Sequence, residues 1–216
     1  PSINYESLSF MKNTHDFSNL LLLPTPFTSE FNETQKITNF DSWMNKIDKA
    51  VWVGSPTGLF GENNHKGTRR NVYEQIRNDN NIVFKFITGN PQSEHDKQVN
   101  KHVKLYNLNM TNEDQMEYKM IICIDGWGFP GSLKWLLHSG CLPIIICDFK
   151  IGILKYLQPW KHYIPGKSDG SDITRNVEWA LKNKSQCLII LKNLHEQISK
   201  FTPHFFENEL QSQMLN

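Results

Sequence analysis

Two glycine-bearing segments, each set between an apolar run and a helical pattern, carry the residue types that meet a phosphate. The first is Gly54-Ser55-Pro56-Thr57-Gly58, which follows a β-like run over 50–53 and precedes helical spacing over 69–78. The first N–H groups of a helix have no partner inside it, so such a junction can hold an anion, helped here by the Ser55 and Thr57 hydroxyls. Arg69 and Arg70 open the helical pattern, where a guanidinium can grip a diphosphate with two parallel hydrogen bonds. The loop matches neither the nucleotide-triphosphate P-loop nor G-x-G-x-x-G, which sets aside a nucleotide-dependent oxidoreductase.

The second segment, Asp125-Gly126-Trp127-Gly128-Phe129-Pro130-Gly131-Ser132, joins a strongly apolar run to another helical pattern. Gly126, Gly128 and Gly131 would let the backbone approach a ligand closely. Ser132 falls at the start of the following helix with its hydroxyl available to a phosphate, and Lys134 adds a cation. A third feature is His15-Asp16, in a polar turn that could face a cleft; a single positioned carboxylate can deprotonate a hydroxyl. No D-x-D pair occurs, so nothing in the sequence points to a metal holding a diphosphate.

The elements that must position these residues alternate in type. Runs over 50–53, 82–87, 103–108, 120–124 and 142–147 read as strands, the last two apolar on both faces as buried parallel strands are. Helical patterns fall over 69–78, 132–138, 177–181 and 187–201, with a helix or turn over 41–47. Strands alternating with helices imply a parallel sheet with right-handed crossovers, whose ligands lie outside the carboxyl ends of the strands. A further run over 8–12 reads as a strand ahead of the His15-Asp16 turn, and a polar connector covers 28–39. We therefore divide the chain into an abbreviated N-terminal lobe over 1–45, closed by the C-terminal helices, and a Rossmann-like lobe over 46–216.

Bulk properties narrow the classes. The chain has 216 residues with 23 basic against 22 acidic side chains, too balanced for a nucleic-acid footprint. No apolar run approaches the length of a membrane span, and the first ten residues lack the pattern of a signal peptide, which favours a cytoplasmic location. The four cysteines stand singly in apolar surroundings and read as buried thiols. Pro1 is not preceded by an initiator Met, leaving room for neighbouring domains in a larger protein.

Read together, the blocks Val51-Trp52-Val53-Gly54-Ser55-Pro56-Thr57-Gly58, YKMIICIDGWGFPGSLKWLLHSG over 118–140, LQPWKHYIPGKSDGSD over 157–172 and Val177-Glu178-Trp179-Ala180 resemble glycosyltransferase family ninety, which contains protein O-glucosyltransferases and capsule-associated xylosyltransferases. The resemblance implies two Rossmann-like lobes of the GT-B type, a UDP-sugar donor, a glycan or protein hydroxyl acceptor, no metal or other cofactor, and inversion at the anomeric carbon. It places Ser55 and one of Arg69 or Arg70 at the diphosphate and the 126–132 turn around the donor. The stretch Phe10-Met11-Lys12-Asn13-Thr14-His15-Asp16-Phe17 is similar to the family's Asn-x-Arg-Asp-aromatic segment, whose Asp is the general base, and so nominates Asp16. Two positions depart from the pattern: Val53 and Ser132 stand where the family has Arg, with Lys134, His138 and Lys167 the cations that could compensate. A degenerate relative that binds a nucleotide sugar without turning it over is the alternative these departures leave open.

Overall fold

A computed structural model describes residues 11–12, 41–59, 66–88, 94–126, 130–147, 150–201 and 205. The elements run β1 (Met11–Lys12), α1 (Asp41–Met44), β2 (Ile47–Gly54), α2 (Thr68–Ile76), β3 (Ile82–Ile87), α3 (Glu94–Val99), β4 (Leu105–Tyr106), α4 (Asn112–Met116), β5 (Tyr118–Ile124), α5 (Leu133–Leu136), β6 (Leu142–Ile146), β7 (Lys150–Ile151), β8 (Ile164–Pro165), α6 (Ile173–Lys182) and α7 (Lys184–Ile198). A 3-10 turn, Gly152–Tyr156, links β7 toward β8. The α/β class and the parallel arrangement read from the sequence are what the chain adopts.

Six strands form one sheet in the order β4-β3-β2-β5-β6-β8, and every described pairing in it is parallel. From β2 the chain winds outward through β3 to β4, then returns to the middle and winds the other way through β5, β6 and β8. The direction therefore reverses between β2 and β5. In an open parallel sheet that reversal splits the crossover connections to opposite sides and leaves a crevice outside the carboxyl ends of the two central strands.

The central strands are apolar on both faces because helices cover both. On one face Ala50, Trp52, Phe86, Ile122, Ile124, Ile144 and Ile146 pack with Val72 and Ile76 of α2 and Val177 of α6. On the other, Val51, Ile121, Cys123 and Ile145 pack with Leu133 and Leu136 of α5 and Leu194 and Ile198 of α7. Neighbouring residues along each strand alternate between the two clusters, as the pleat requires. Full burial of each such aliphatic side chain is worth about 1.5–3 kcal/mol, so the sheet is a rigid base for the loops at its edge.

The amino end of the sheet is closed by a buried cation. Lys119, 2% exposed, donates from Nζ to the carbonyls of Met44 at 2.9 Å and Lys46 at 2.6 Å and pairs with Asp48 at 2.6 Å. The Trp43 indole N–H donates back to the Lys119 carbonyl at 2.8 Å. These bonds lock α1 and the start of β2 onto β5. Separately, β1 pairs antiparallel with β7, Met11 opposite Ile151 and Lys12 opposite Lys150, so the segment that leads to Asp16 is tied to the chain that follows β6.

Candidate functional site

The two glycine-bearing loops leave adjacent strands on either side of the reversal, β2 at Gly54 and β5 at Ile124, and meet backbone to backbone. Gly58 has φ +75, the left-handed region, and a Cβ there would lie 2.6 Å from the Gly126 Cα. A Cβ on Gly67 would lie 2.0 Å from the Gly58 carbonyl oxygen, and one on Gly126 would lie 3.1 Å from the Thr57 carbonyl oxygen and 3.0 Å from Arg69 Nη2. Three glycines thus permit a crossing that any side chain would prop open. Gly67 is also the N-cap of α2 with no side-chain hydrogen bond to the helix start, leaving the first-turn N–H groups uncapped by a side chain.

Arg69, in the first turn of α2, knits the crossing together. Its Nε donates to the Asp125 carbonyl at 3.0 Å, Nη1 to the Ser55 carbonyl at 2.7 Å and the Thr57 hydroxyl at 2.9 Å, and Nη2 to the Ile124 carbonyl at 3.3 Å. The guanidinium lies 5.3 Å from the Trp52 ring centroid. Burial lowers its pKa from the usual arginine value, against the opposing charge of Asp125, whose side chain is only 3% exposed. Ser55 and Thr57, both exposed, share a hydroxyl hydrogen bond of 2.7 Å.

Arg70 takes a different course. It pairs with Glu74 one turn along the helix at 3.0 Å, and Lys66 pairs with the same carboxylate. Lys66 first, then Arg70, holds that carboxyl below its ordinary range. Ser132 directly precedes α5 but makes no side-chain cap; its hydroxyl lies 3.8 Å from the Cys123 Sγ. Burial pushes the Cys123 thiol up to about 12, so it stands as a neutral floor beneath the loops. Gly131 borders open space, and Gly54 is crowded only by the Trp52 side chain. Trp127, Gly128, Phe129 and Asp16 lie outside the described residues, as does the side chain of Lys134 within α5.

The structure thus brings together Gly54, Ser55, Thr57, Arg69, Asp125, Gly126 and Ser132 at the carboxyl ends of β2 and β5, and sets Arg70 into a helix-surface ion pair. Three contributors escaped the sequence reading as site residues: Gly58, Gly67 and Trp52. Gly67 offered a usable signal, a glycine directly ahead of the helical pattern. Outside the crossing itself, Gly170 has φ +75 and would place a Cβ 2.7 Å from the Val72 Cα, so the 166–172 loop packs against α2.

The Invertebrate iridescent virus 3 protein 035R is 26% identical over 171 residues, covering 72% of this chain and 15% of its own length. Protein O-glucosyltransferase 2 of Danio rerio is 27% identical over 148 residues, covering 64% of this chain and 26% of its own. The chain therefore spans about a quarter or less of the curated relatives it matches. The crystal structure of Anabaena HepE in complex with UDP-glucose superposes with a TM-score of 0.51 at 8% identity, covering 88% of this chain and 54% of that one, which supports the GT-B fold. The family description "Glycosyl transferase family 90" matches residues 23–213, and the chain belongs to that family.

Proposed function

We propose that this chain is the donor-binding part of an inverting, metal-independent glycosyltransferase that moves a sugar from a UDP-sugar to a hydroxyl of a glycan or protein. The observation that carries the reading is the crossing of two glycine loops at the sheet's reversal, beside an uncapped helix start, in a chain of this family. A pyrophosphate is recognised by backbone N–H groups at such a place because the backbone can approach it without steric hindrance and the helix end carries partial positive charge. The UDP-glucose bound to HepE and the activity named for the Danio rerio relative agree with a nucleotide-sugar donor. Among the described residues no helix is long and apolar enough to cross a membrane, and the four cysteines are free thiols, in keeping with a reducing compartment such as the cytoplasm.

In the reaction, the Asp16 carboxylate takes the proton of the acceptor hydroxyl while the acceptor oxygen attacks the anomeric carbon from the face opposite the diphosphate. The bond from that carbon to the β-phosphate oxygen breaks, its electron pair leaves with UDP, and fixed donors stabilise the charge that develops there. A panel of nucleotide sugars tests this by thermal shift and by release of nucleotide diphosphate with and without EDTA. Stabilisation by one donor with EDTA-insensitive release is the expected result. Asp16→Asn should keep the thermal shift and lower transfer by about 10²- to 10⁴-fold. Binding without release, with candidate acceptors supplied, would instead identify a non-catalytic module, the reading favoured by Val53 and Ser132.

A further inference from the structure

The acceptors around Arg69 all belong to the protein. A guanidinium has five N–H groups, and four of them are engaged: one from Nε, two from Nη1 and one from Nη2. A diphosphate would find at most one N–H left. The bonds do something else, because two of the acceptors are the carbonyls of consecutive residues, Ile124 and Asp125, at the point where β5 becomes the second glycine loop.

A trans peptide unit is planar, with its C=O and N–H pointing in opposite directions. The N–H that shares a peptide unit with the Ile124 carbonyl belongs to Asp125 and is used, donating to the Ile146 carbonyl at 3.3 Å. The N–H that shares a unit with the Asp125 carbonyl belongs to Gly126, and no described residue accepts from it. Drawing the Asp125 oxygen onto Nε turns this N–H away from Arg69.

We infer that Arg69 is a positioning residue that fixes the Asp125–Gly126 peptide so that the Gly126 N–H, and not the guanidinium, donates to the diphosphate of the nucleotide sugar. This inference rests on the donor-binding reading above. It also accounts for the glycine at 126, since a Cβ would meet Nη2 at 3.0 Å and Cζ at 3.1 Å and push the guanidinium off its acceptors. Lysine cannot replace Arg69, because a single ammonium lacks the planar fork that reaches carbonyls on both loops.

UDP is the probe, with affinity read by calorimetry and the Gly126 amide by ¹⁵N–¹H correlation spectra. In the wild type the Gly126 amide should move on UDP addition. Arg69→Lys keeps the positive charge, yet should weaken UDP by about tenfold or more, the loss expected for one hydrogen bond to a charged group, and should abolish the Gly126 shift. Gly126→Ala, with Arg69 present, should weaken UDP to a similar degree, and it decides the question if Arg69→Lys does not fold. Wild-type affinity in either folded variant, or a Gly126 amide in Arg69→Lys that still moves as in the wild type, overturns the positioning role while leaving the donor-lobe reading intact. A wild-type protein that binds no UDP overturns both.

Discussion

An alanine at Gly58 would face two penalties at once, a left-handed backbone that an L side chain rarely adopts and a Cβ 2.6 Å from the neighbouring loop. We expect Gly58→Ala to lose about 2–4 kcal/mol in chemical denaturation and to lose UDP binding with it. Gly131→Ala is the control, since nothing stands within 4 Å of the added carbon, and it should stay within about 0.5 kcal/mol of the wild type. At this scale much of the candidate site could be read from the sequence. Ser55, Thr57, Arg69, Asp125 and Gly126 were legible because glycines, hydroxyls and a cation between a strand and a helix can meet a phosphate, a pattern that plain turns and caps also share. The Arg70–Glu74 pair was legible too, since its spacing is that of a helical ion pair. What Arg69 does depends on carbonyls more than fifty residues away, which no local pattern shows.

Among the elements, β5 is the one whose two ends matter most, one feeding the glycine crossing and the other holding Lys119. Lys119→Ala would strip a bond from two carbonyls and the Asp48 carboxylate, and we expect it to cost about 2–4 kcal/mol while UDP affinity in the folded protein is unchanged, a separation that parallel denaturation and calorimetry would show. The central strands were legible because burial on both faces leaves an unbroken apolar run; 82–87 was read with the bounds it has. The edges were less so. β4 lies inside the 103–108 run but keeps only Leu105–Tyr106, while β8, two residues long and thus too short for periodicity, follows an aromatic stretch whose Trp160, φ 61 and 47% exposed, fits no strand pattern. The short helix α4 carried a signal that the reading did not use, a capping box between Thr111 and Asp114.

For the molecule as a whole, acid should act first through buried imidazoles. Burial, reinforced by His195, lowers His138 to about 4, and burial also lowers His162. The unfolded chain takes up a proton near pH 6.5 that folded His138 refuses until about 4. The stability these groups lend is therefore complete above pH 6.5 and is lost as pH falls through that window. Denaturation midpoints measured from pH 7 to 4.5 should decline, and His138→Leu should flatten part of the slope. Over the same whole-chain scale, the ladder between β1 and β7 joins position 11 to position 151. Closing a loop of that span costs about 4 kcal/mol of chain entropy, more than a two-residue ladder returns. The ribbon can therefore persist only after the sheet has formed, so the crossing of the two glycine loops is assembled before positions 11 and 12 are tied down.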